Sequence, residues 1–510
     1  MKAFTEPLLS LAGFEEMTKT AEKSSGLISV TGCIDAQKSQ MIYAFGGHRK
    51  NKLIVTFGEQ KAKELYDEYS FFDKEVVYYP SKDVLFYQSD IRGNLLTAER
   101  IRALKAIREQ ERVTLVTTFD ALMNTMAPIE KMWENVLTLE QGQLLDLKEI
   151  QAALIRMGYE KEYQVQTMGQ FSVRGGILDV FPLTEENPIR IELWGDEIDT
   201  IRYFDCESQK SIENTDRVSI YPAAELVLSD EEKAGGIEKL KAEAKRVSDK
   251  LRKQMKTEEA HRVTVMADEL TEEWGELSMY AGMDAFLSYF FDERVGILDY
   301  FNPSDSLIFF DELTRCAEQG KLTETEFSES MKQRLAMGYI LPGQMNGLFT
   351  EKEIVAKLGK YSCIALAALD NKANGLHQLG SYGIHCQSVS PYNNSFELLI
   401  KDLKRYKKNG YRVILLSGSR TRAKRLSEDI TDQGITCFYT ENYDHELFEG
   451  QIMVCYGKVR RGFEYPILKF AVITESDIFG AQQKKKKRHR TYEGEKIQSF
   501  TDLSVGDYVV

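Results

Sequence analysis

The strongest constraint on the fold is an alternation of short, continuously apolar runs with amphipathic segments over roughly the first 125 residues. The apolar runs are predicted strands at 27–30, 53–57, 76–79 and 113–117. The segments between them are predicted helices at 38–45, 59–69 and 97–110. Strands that are apolar at every position are typical of a parallel sheet covered by helices on both faces. The pattern therefore predicts a doubly wound α/β domain.

The pattern changes further along the chain. From about residue 163 to 204 the apolar runs are closely spaced and separated by tight turns, which predicts an inserted antiparallel β domain. A charged helical segment follows at 228–260, and an apolar strand returns at 306–310. A second, smaller α/β unit is predicted over 388–478, with strands at 413–416, 435–439, 452–455 and 470–474 and a helix at 421–433. The chain is thus predicted to be a multidomain α/β protein.

Composition narrows the class further. A length of 510 residues predicts about three to five domains, because single hydrophobic cores rarely outgrow ~250 residues. The net charge of −13 is unfavourable for a protein that coats nucleic acid with its whole surface. The 7 cysteines include no C-x-x-C pair and the 6 histidines do not cluster, so neither a metal site nor a disulfide framework is predicted. Without a secretory leader or an apolar run of ~20 residues, we expect a cytoplasmic protein with no membrane partner.

A degenerate phosphate loop follows the first predicted strand. Gly32, Lys38 and Ser39 stand at the spacing of the G-x-x-x-x-G-K-[ST] motif, between a strand and a helix. Gln37 occupies the place of the second glycine, where backbone and phosphate must approach closely. Asp35 adds a negative charge near the position of a negative ligand. We therefore expect no useful ATP binding at this loop.

An acidic strand end is the second trace of a nucleotide-binding fold. The apolar run at 307–310 ends in Asp311 and Glu312, in the manner of the strand that positions Mg²⁺ in such ATPases. Four apolar residues before Asp-Glu are a common combination. Beside a loop that lacks its glycine, we interpret this segment as a relic rather than a metal site.

A candidate docking face lies in the predicted inserted domain. Because strand side chains alternate between faces, Ile189, Ile191 and Leu193 are predicted to point to one side of their strand. Arg190, Glu192 and Trp194 would then point to the other side, toward solvent. An exposed Trp beside Arg is typical of a binding hot spot, although Trp194 could instead cover a neighbouring domain of the same chain.

The last 30 residues of the chain support two further predictions, one on a basic run and one on the end of the sequence. The basic run Lys484–Arg490 is interpreted as a solvated linker, with contact to DNA phosphates as the alternative. The sequence at 505–510 resembles a strand that is entered and not completed, so we expect that the chain is the front part of a longer protein.

These motifs together resemble the transcription-repair coupling factor (Mfd) family, and more weakly the excision-repair protein UvrB. The resemblance is carried by F-S-V-R-G-G-I-L-D-V-F-P at 171–182 and by I-R-I-E-L-W-G-D-E-I-D at 189–199. It continues in Phe204, Asp205, Ser208 and Gln209, then in R-G-F-E-Y-P at 461–466 and V-I-T-E-S-D-I-F-G at 472–480. It covers essentially all 510 residues.

The resemblance implies a domain plan. Residues 1–125 and 224–350 would be two parts of a UvrB-like α/β domain, and 126–223 an inserted, β-rich UvrA-binding domain. Residues 375–480 would form a small third α/β domain, 481–498 a basic linker, and 499–510 the truncated start of an RNA-polymerase-interaction domain. The motor domains of the family, which use ATP and Mg²⁺, would be absent, so no cofactor is expected in this fragment.

The resemblance also implies a function and a set of site residues. Arg174, Arg190 and Trp194 fall on positions that the family uses to contact UvrA, and Glu192 lies between the last two. The whole protein would recruit UvrA to RNA polymerase stalled at damaged DNA, and this fragment would not be an enzyme. The rival interpretations are an ATP-dependent UvrB-like helicase or excision-repair subunit, which Gln37 speaks against, and a DNA-binding module acting through 484–490.

Overall fold

A computed structural model describes residues 1–46, 49–82, 94–276, 282–369 and 375–480. Within these ranges the chain is a mixed α/β structure with several sheets. The segments predicted as a basic linker at 481–498 and as a truncated domain at 499–510 lie outside the described residues. None of the described helices combines the length and apolar character that crossing a bilayer requires.

The first part of the chain builds most of a parallel sheet. Its elements in chain order are α1 Lys2–Leu9, α2 Phe14–Lys23, β1 Gly26–Thr31, α3 Asp35–Gly46, β2 Asn51–Thr56, α4 Glu59–Phe72, β3 Val76–Tyr79, α5 Asn94–Glu109, β4 Val113–Thr118, α6 Phe119–Met123 and α7 Ile129–Glu134. The predicted alternation of strands and helices is confirmed here. Helix α3 begins three residues earlier than predicted, at Asp35.

A mostly antiparallel unit then interrupts the parallel sheet. Its elements are β5 Leu137–Glu140, α8 Leu147–Arg156, β6 Glu160–Lys161, β7 Gln170–Arg174, β8 Ile177–Val180, β9 Ile189–Trp194, β10 Glu197–Phe204, β11 Ser211–Thr215 and β12 Arg217–Ile220. Six strands form one sheet in the order β11-β10-β9-β8-β7-β6, which we call the second sheet, while β5 pairs with β12. All neighbours in the second sheet are antiparallel except β6 and β7.

The chain next returns to the first sheet through a helical region. The elements are α9 Asp230–Lys253, α10 Thr257–Glu276, α11 Leu287–Phe290, β13 Ser306–Asp311, α12 Leu313–Ala336, α13 Glu351–Leu358, β14 Ser362–Leu366 and β15 Gln378–Gly383, with short 3₁₀ turns at Met283–Phe286, Ile297–Tyr300 and Pro342–Asn346. The Ser229 hydroxyl and the Glu232 carboxylate form a capping box that starts α9.

The completed first sheet has seven parallel strands in the order β15-β1-β14-β13-β2-β4-β3. It extends beyond the predicted limit of residue 350 and takes β15 from the segment assigned to the third domain. Strand β15 pairs with β1 from Leu27 to Thr31, and β14 pairs with β1 on its other side. Successive side chains of β1 enter two separate cores, with Leu27 on one face and Ile28 on the other. Both faces of the sheet are therefore buried.

The third sheet closes the described chain. Its elements are β16 Gln387–Ser388, α14 Phe396–Lys408, β17 Arg412–Ser417, α15 Arg420–Asp432, β18 Phe438–Tyr439, β19 Ile452–Tyr456, β20 Phe463–Tyr465, β21 Phe470–Thr474 and α16 Glu475–Phe479. The strand order is β16-β20-β21-β17-β19-β18. The strand predicted at 435–439 is shorter than expected, although Ile435 remains buried. One core joins this sheet to the first, since Ile414 and Met453 share it with Phe4 and Met41.

Candidate functional site

The outer face of the second sheet carries the predicted docking residues. Strand β9 alternates as predicted: Ile189 and Ile191 are fully buried, whereas Trp194 is 85% exposed at the end of the strand. Gly195 follows in the left-handed conformation, with φ of +64°, and turns the chain into β10. The Trp194 ring therefore does not cover another domain within the described chain.

Two arginines converge on one buried carboxylate of this face. Asp179 on β8 lies directly opposite Arg190 on β9, so both side chains project from the same side of the sheet. Arg190 donates from Nε to Asp179 Oδ1 at 2.6 Å and from Nη2 to Oδ2 at 2.8 Å. Arg174 donates from Nη2 to Asp179 Oδ2 at 2.7 Å. Two guanidinium groups share one carboxylate, which leaves this cluster with a surplus positive charge.

The two arginines differ in how far they reach solvent. The Arg190 side chain is only 13% exposed, because its guanidinium stacks on the Phe204 ring at 4.3 Å from the centroid and also donates to Gln209. The Arg174 side chain is 36% exposed. Hydrogen bonds to Asp179 raise the pKa of Arg190, so its charge is fixed. The expectation that Arg190 points freely to solvent is therefore corrected: a buried carboxylate holds it against the sheet.

Glu192 is also held by the sheet rather than presented freely. Its carboxylate accepts hydrogen bonds from Arg202 and from the Thr200 hydroxyl on the neighbouring strand β10. The hydrogen bond from Arg202 lowers the pKa of Glu192. Of the three residues of β9 that face outward, Arg190 and Glu192 are thus held by ion pairs to the sheet, and only Trp194 is largely exposed. Arg202 is a member of this face that the sequence analysis missed, since its contact depends on the register of β9 and β10.

Leu144 is a second residue that the sequence analysis missed. It forms an antiparallel bridge with Glu197, and Glu197 in turn lies opposite Trp194. The three side chains therefore form one row on the same face. Leu144 is 75% exposed, a high value for an aliphatic residue. No local pattern could connect it to Trp194, because 50 residues separate them in sequence and only strand pairing brings them together.

A shallow groove of about 700 Å³ opens beside Trp194. Its lining consists of Glu140, Gln141, Gly142, Trp194, Glu197, Ile198, Asp199, Asp216 and Arg217. The lining carries four carboxylates against the single guanidinium of Arg217, which pairs with Glu140 at 3.2 Å. The outer face thus combines a positive cluster around Asp179 with a negative groove beside the exposed ring of Trp194.

The predicted degenerate phosphate loop lies at the carboxyl end of β1, where its backbone already has partners. The Gly32 N–H donates to Ala368 O at 3.2 Å, and the Cys33 N–H donates to Ala367 O at 2.9 Å. Gly32 has a φ of +76°, and a Cβ built on it would lie 2.0 Å from the Ile384 carbonyl oxygen. Two donors of the loop are therefore occupied by the segment after β14, and the segment after β15 packs against its first glycine.

Lys38 is enclosed by carboxylates. Its Nζ lies 2.5 Å from Asp311 Oδ1, 2.9 Å from Glu312 Oε1 and 3.1 Å from Asp35 Oδ1. Burial alone would lower the pKa of Lys38, but Asp311 and the other two carboxylates outweigh it and raise the pKa. The three protons of the ammonium group match these three acceptors. Asp311 and Glu312 at the end of β13 thus bind Lys38, the residue that would contact a phosphate in an intact phosphate loop.

Gln37 and Ser39, on either side of Lys38, are both buried. Gln37 is fully buried, and neither its amide nitrogen nor its amide oxygen has a hydrogen-bond partner within the described structure. The Ser39 hydroxyl donates to Glu68 Oε2 at 3.4 Å. The predicted loop residues are therefore brought together: Gln37, Lys38 and Ser39 are buried, and Gly32 is partly exposed.

Comparison with known proteins identifies relatives for the whole chain and for the second sheet. Residues 137–226 match the family model described as the UvrB interaction domain. The chain is 28% identical over 460 residues to the transcription-repair-coupling factor of Bacillus subtilis, a match that covers 90% of this chain and 38% of the relative. The corresponding factors of Staphylococcus haemolyticus (28% over 495 residues) and Staphylococcus aureus (27% over 512 residues) match 95% and 98% of this chain.

The matches define both the extent and the limit of the similarity. The predicted resemblance to the transcription-repair-coupling factors is confirmed along nearly the whole chain. The chain spans about two fifths of the length of these relatives, with 41% and 42% of the two staphylococcal proteins covered. The matched domain model contains the Asp179 cluster, Leu144 and Trp194.

Proposed function

We propose that this chain, similar to transcription-repair-coupling factors over nearly all of its length, is the scaffold through which such a factor recruits UvrA to RNA polymerase stalled at DNA damage. The observation that carries the proposal is the outer face of the second sheet. This face lies inside the stretch that matches the UvrB interaction domain, and it presents an almost fully exposed Trp194 beside a doubly arginine-bound Asp179.

The geometry explains how such a face would bind a protein partner. Trp194 offers a large rigid surface that costs little side-chain entropy to bury, as hot-spot residues do. Arg174 keeps part of its guanidinium in solvent while Asp179 fixes its direction, so a carboxylate of the partner would meet a pre-oriented donor. Arg190 shares Asp179 and stacks on Phe204, and its proposed role is to hold the cluster in place and to supply its surplus charge.

Leu144 extends the proposed contact across the strand row. Together with Trp194 it forms an apolar end of the face, and Arg174 with Arg190 forms the charged end. We propose Arg174, Arg190, Glu192 and Trp194 as UvrA-contacting or UvrA-positioning residues. Glu192 acts through Arg202, whose guanidinium it orients.

We further propose that the first sheet has the fold of a phosphate-loop ATPase domain that no longer binds nucleotide. The Ala367 and Ala368 carbonyls occupy two loop N–H groups, and three carboxylates surround Lys38. The chain would therefore bind neither ATP nor Mg²⁺ at this loop and would hydrolyse no nucleotide. Contacts with RNA polymerase, contacts with DNA and an ATP-driven motor are proposed for the full-length factor.

Titration of UvrA with the 510-residue chain tests the proposal. We expect a 1:1 interface whose free energy of binding falls by more than ~2 kcal/mol in Trp194→Ala and in Arg174→Ala, the loss typical of a hot-spot residue. Ile467→Ala removes a large apolar side chain that is 77% exposed on the third sheet, and Arg156→Ala removes an exposed arginine of α8. Both controls should bind as the wild type does. Absence of binding by the wild type, or equal affinity in all five proteins, would overturn the proposal.

A further inference from the structure

A basic edge distinguishes the third sheet from the rest of this acidic chain. Strands β18, β19, β17 and β21 are mutually parallel, so the segments that follow them emerge at one edge of the sheet. The first residues after β17 (418–424) and after β19 (457–461) carry six cations: Arg420, Arg422, Lys424, Lys458, Arg460 and Arg461. All six side chains are exposed. In open α/β sheets this carboxyl edge is where ligands bind.

The two segments are in contact where they begin. Strands β17 and β19 are neighbours, and the Gly457 N–H donates to Ser417 O at 3.0 Å. Arg420, at the start of α15, lies over the Tyr456 ring that ends β19, at 5.4 Å from its centroid. The six cations therefore belong to one continuous surface, which we call the basic edge.

Only half of the charge on the basic edge is neutralised. Arg420 pairs with Glu441 at 3.1 Å, Arg460 with Glu64 at 2.7 Å, and Arg422 with Glu475. Lys424, Lys458 and Arg461 form no ion pair with any residue of the described ranges, although Lys424 lies near Glu441 and Arg461 lies near Asp477. Asp477 is buried and accepts hydrogen bonds from Gly462 N and from Thr474. Three of the six cations thus remain free to meet an anionic partner.

The aromatic residues of the basic edge indicate the form of that partner. Arg420 covers the Tyr456 ring, and the Lys424 ammonium lies over the Tyr439 ring at 5.4 Å. Both rings are therefore shielded by cations and offer no free platform for unstacked bases, which single-stranded nucleic acids require. Surplus cations without a stacking surface suit a regular phosphate backbone whose bases remain paired.

We propose that the basic edge binds the phosphate backbone of duplex DNA, through Lys424, Lys458 and Arg461 in particular. The interaction is independent of base sequence, because contacts to backbone phosphates carry no sequence information. This site is separate from the UvrA face on the second sheet and does not depend on that function. The third sheet would thus hold the chain on the DNA near which UvrA is recruited.

Fluorescence anisotropy with a labelled 30-base-pair duplex tests the site, using the 510-residue chain and a salt titration. In the triple variant Lys424→Glu, Lys458→Glu, Arg461→Glu, we expect at least about 30-fold weaker binding at 50 mM salt and a log–log salt slope smaller by about 2–3, because each phosphate contact contributes ~0.9 to the slope. The control Lys401→Glu, Lys404→Glu, Lys408→Glu makes the same charge change on exposed lysines of α14. It should keep the wild-type slope.

Two further arms separate the basic edge from other sources of binding. A variant with Lys484–Lys487, Arg488 and Arg490 changed to Gln should retain the part of the slope that the triple variant loses. The proposal is overturned if the wild type does not bind the duplex, if the triple variant and its control bind alike, or if the 484–490 variant alone abolishes binding. It is also overturned if single-stranded DNA or polyglutamate of equal charge competes as well as the duplex does.

Discussion

Asp179 is the residue on which the outer face of the second sheet depends. It is buried, and its two oxygens accept three hydrogen bonds from Arg174 and Arg190. A buried carboxylate is stable only when paired, and here the pairing also sets the direction of both guanidinium groups. The positions of the two arginines at the surface are thus decided by a residue that the partner would never touch.

Replacing Asp179 therefore tests how Arg174 and Arg190 are positioned without removing a residue that contacts the partner. We expect Asp179→Ala to lower the free energy of unfolding by roughly 2–3 kcal/mol, since hydrogen bonds to charged groups are lost and Arg190 stays mostly buried without its partner. Urea unfolding measures this change. Glu192→Ala is the matched control, because its Arg202 pair lies nearer to solvent and such pairs contribute about 0–1 kcal/mol. Equal losses in the two variants would contradict the difference in burial.

Lys38 offers a second test at the residue scale. In Lys38→Met, Asp311 would remain buried with only the Thr56 hydroxyl as a partner, and removing one member of a buried ion pair costs about 3–5 kcal/mol. Adding Asp311→Asn to that variant should recover much of the loss, because no buried charge is then left unpaired. Thermal unfolding of the single and double variants gives the comparison. A double variant that loses more stability than the two single variants lose together would contradict this prediction.

At the scale of the element, the loop between β1 and α3 is closed by the neighbouring segments as well as by its own sequence. Restoring the missing glycine with Gln37→Gly should not create nucleotide binding, because the Ala367 and Ala368 carbonyls still occupy the loop N–H groups. The midpoint of thermal unfolding should be unchanged by millimolar Mg²⁺-ATP in both the wild type and the variant. A rise of several degrees in either would revive the interpretation as an ATP-dependent UvrB-like enzyme.

Helix α4 joins the first and third sheets through a buried carboxyl group. Glu68 accepts from Arg460 N at 3.2 Å and from the Ser39 hydroxyl, and burial raises its pKa from 4.5 to about 7. An acid with a raised folded-state pKa favours the folded protein while protonated. Its contribution is therefore fully present below pH 4.5 and is lost as the pH rises through 7.

The pH dependence of stability tests this contact. Between pH 5 and pH 8 the wild type should lose roughly 2–3 kcal/mol more unfolding free energy than Glu68→Gln, since one pKa unit corresponds to 1.36 kcal/mol. Urea unfolding of both proteins at the two pH values supplies the difference. Parallel changes in the two proteins would show that Glu68 ionises at its ordinary pKa. Burial outweighs the opposing effects of Arg460 and Lys61 on the pKa of Glu68.

Individual strands show which parts of the fold could be predicted from the sequence and which could not. Strands such as β2 and β13 were predictable because their central side chains, at 53–55 and 307–310, are all apolar and buried, a pattern that needs no knowledge of neighbours. Strand β15 was not, because Q-L-G-S-Y-G lies at the sheet edge, carries polar and small residues and reads as a loop. The resemblance assigned this segment to the third domain, whereas pairing with β1 places it in the first sheet.

The same reasoning applies to the candidate site. The alternation of Ile189, Arg190, Ile191 and Trp194 predicted which side chains leave the core, and the burial of the isoleucines confirms it. The pairing of Glu192 with Arg202 and the row from Leu144 to Trp194 depend on strand register, which one sequence does not reveal. A bulge in register between Ile198 and Thr200 makes that pairing harder still to foresee.

At the scale of the whole molecule, two surfaces of different character lie on different sheets. The outer face of the second sheet combines Trp194 and Leu144 with the Asp179 cluster, and the basic edge lies on the third sheet. The third sheet shares one hydrophobic core with the first, through Phe4, Ile414 and Met453. A shared core of this kind makes the two sheets one packed unit, from which the second sheet is carried as an insertion between β4 and β13.

The central claim is that the outer face of the second sheet touches UvrA, and site-directed photo-crosslinking tests it most directly. Benzoyl-phenylalanine placed at position 194 substitutes one large exposed aromatic group for another, and the same group at Ile467 serves as the control on the third sheet. On irradiation with UvrA, we predict a crosslinked species from position 194 and none from position 467. Crosslinking from 467 with none from 194 would contradict the account and place the contact elsewhere.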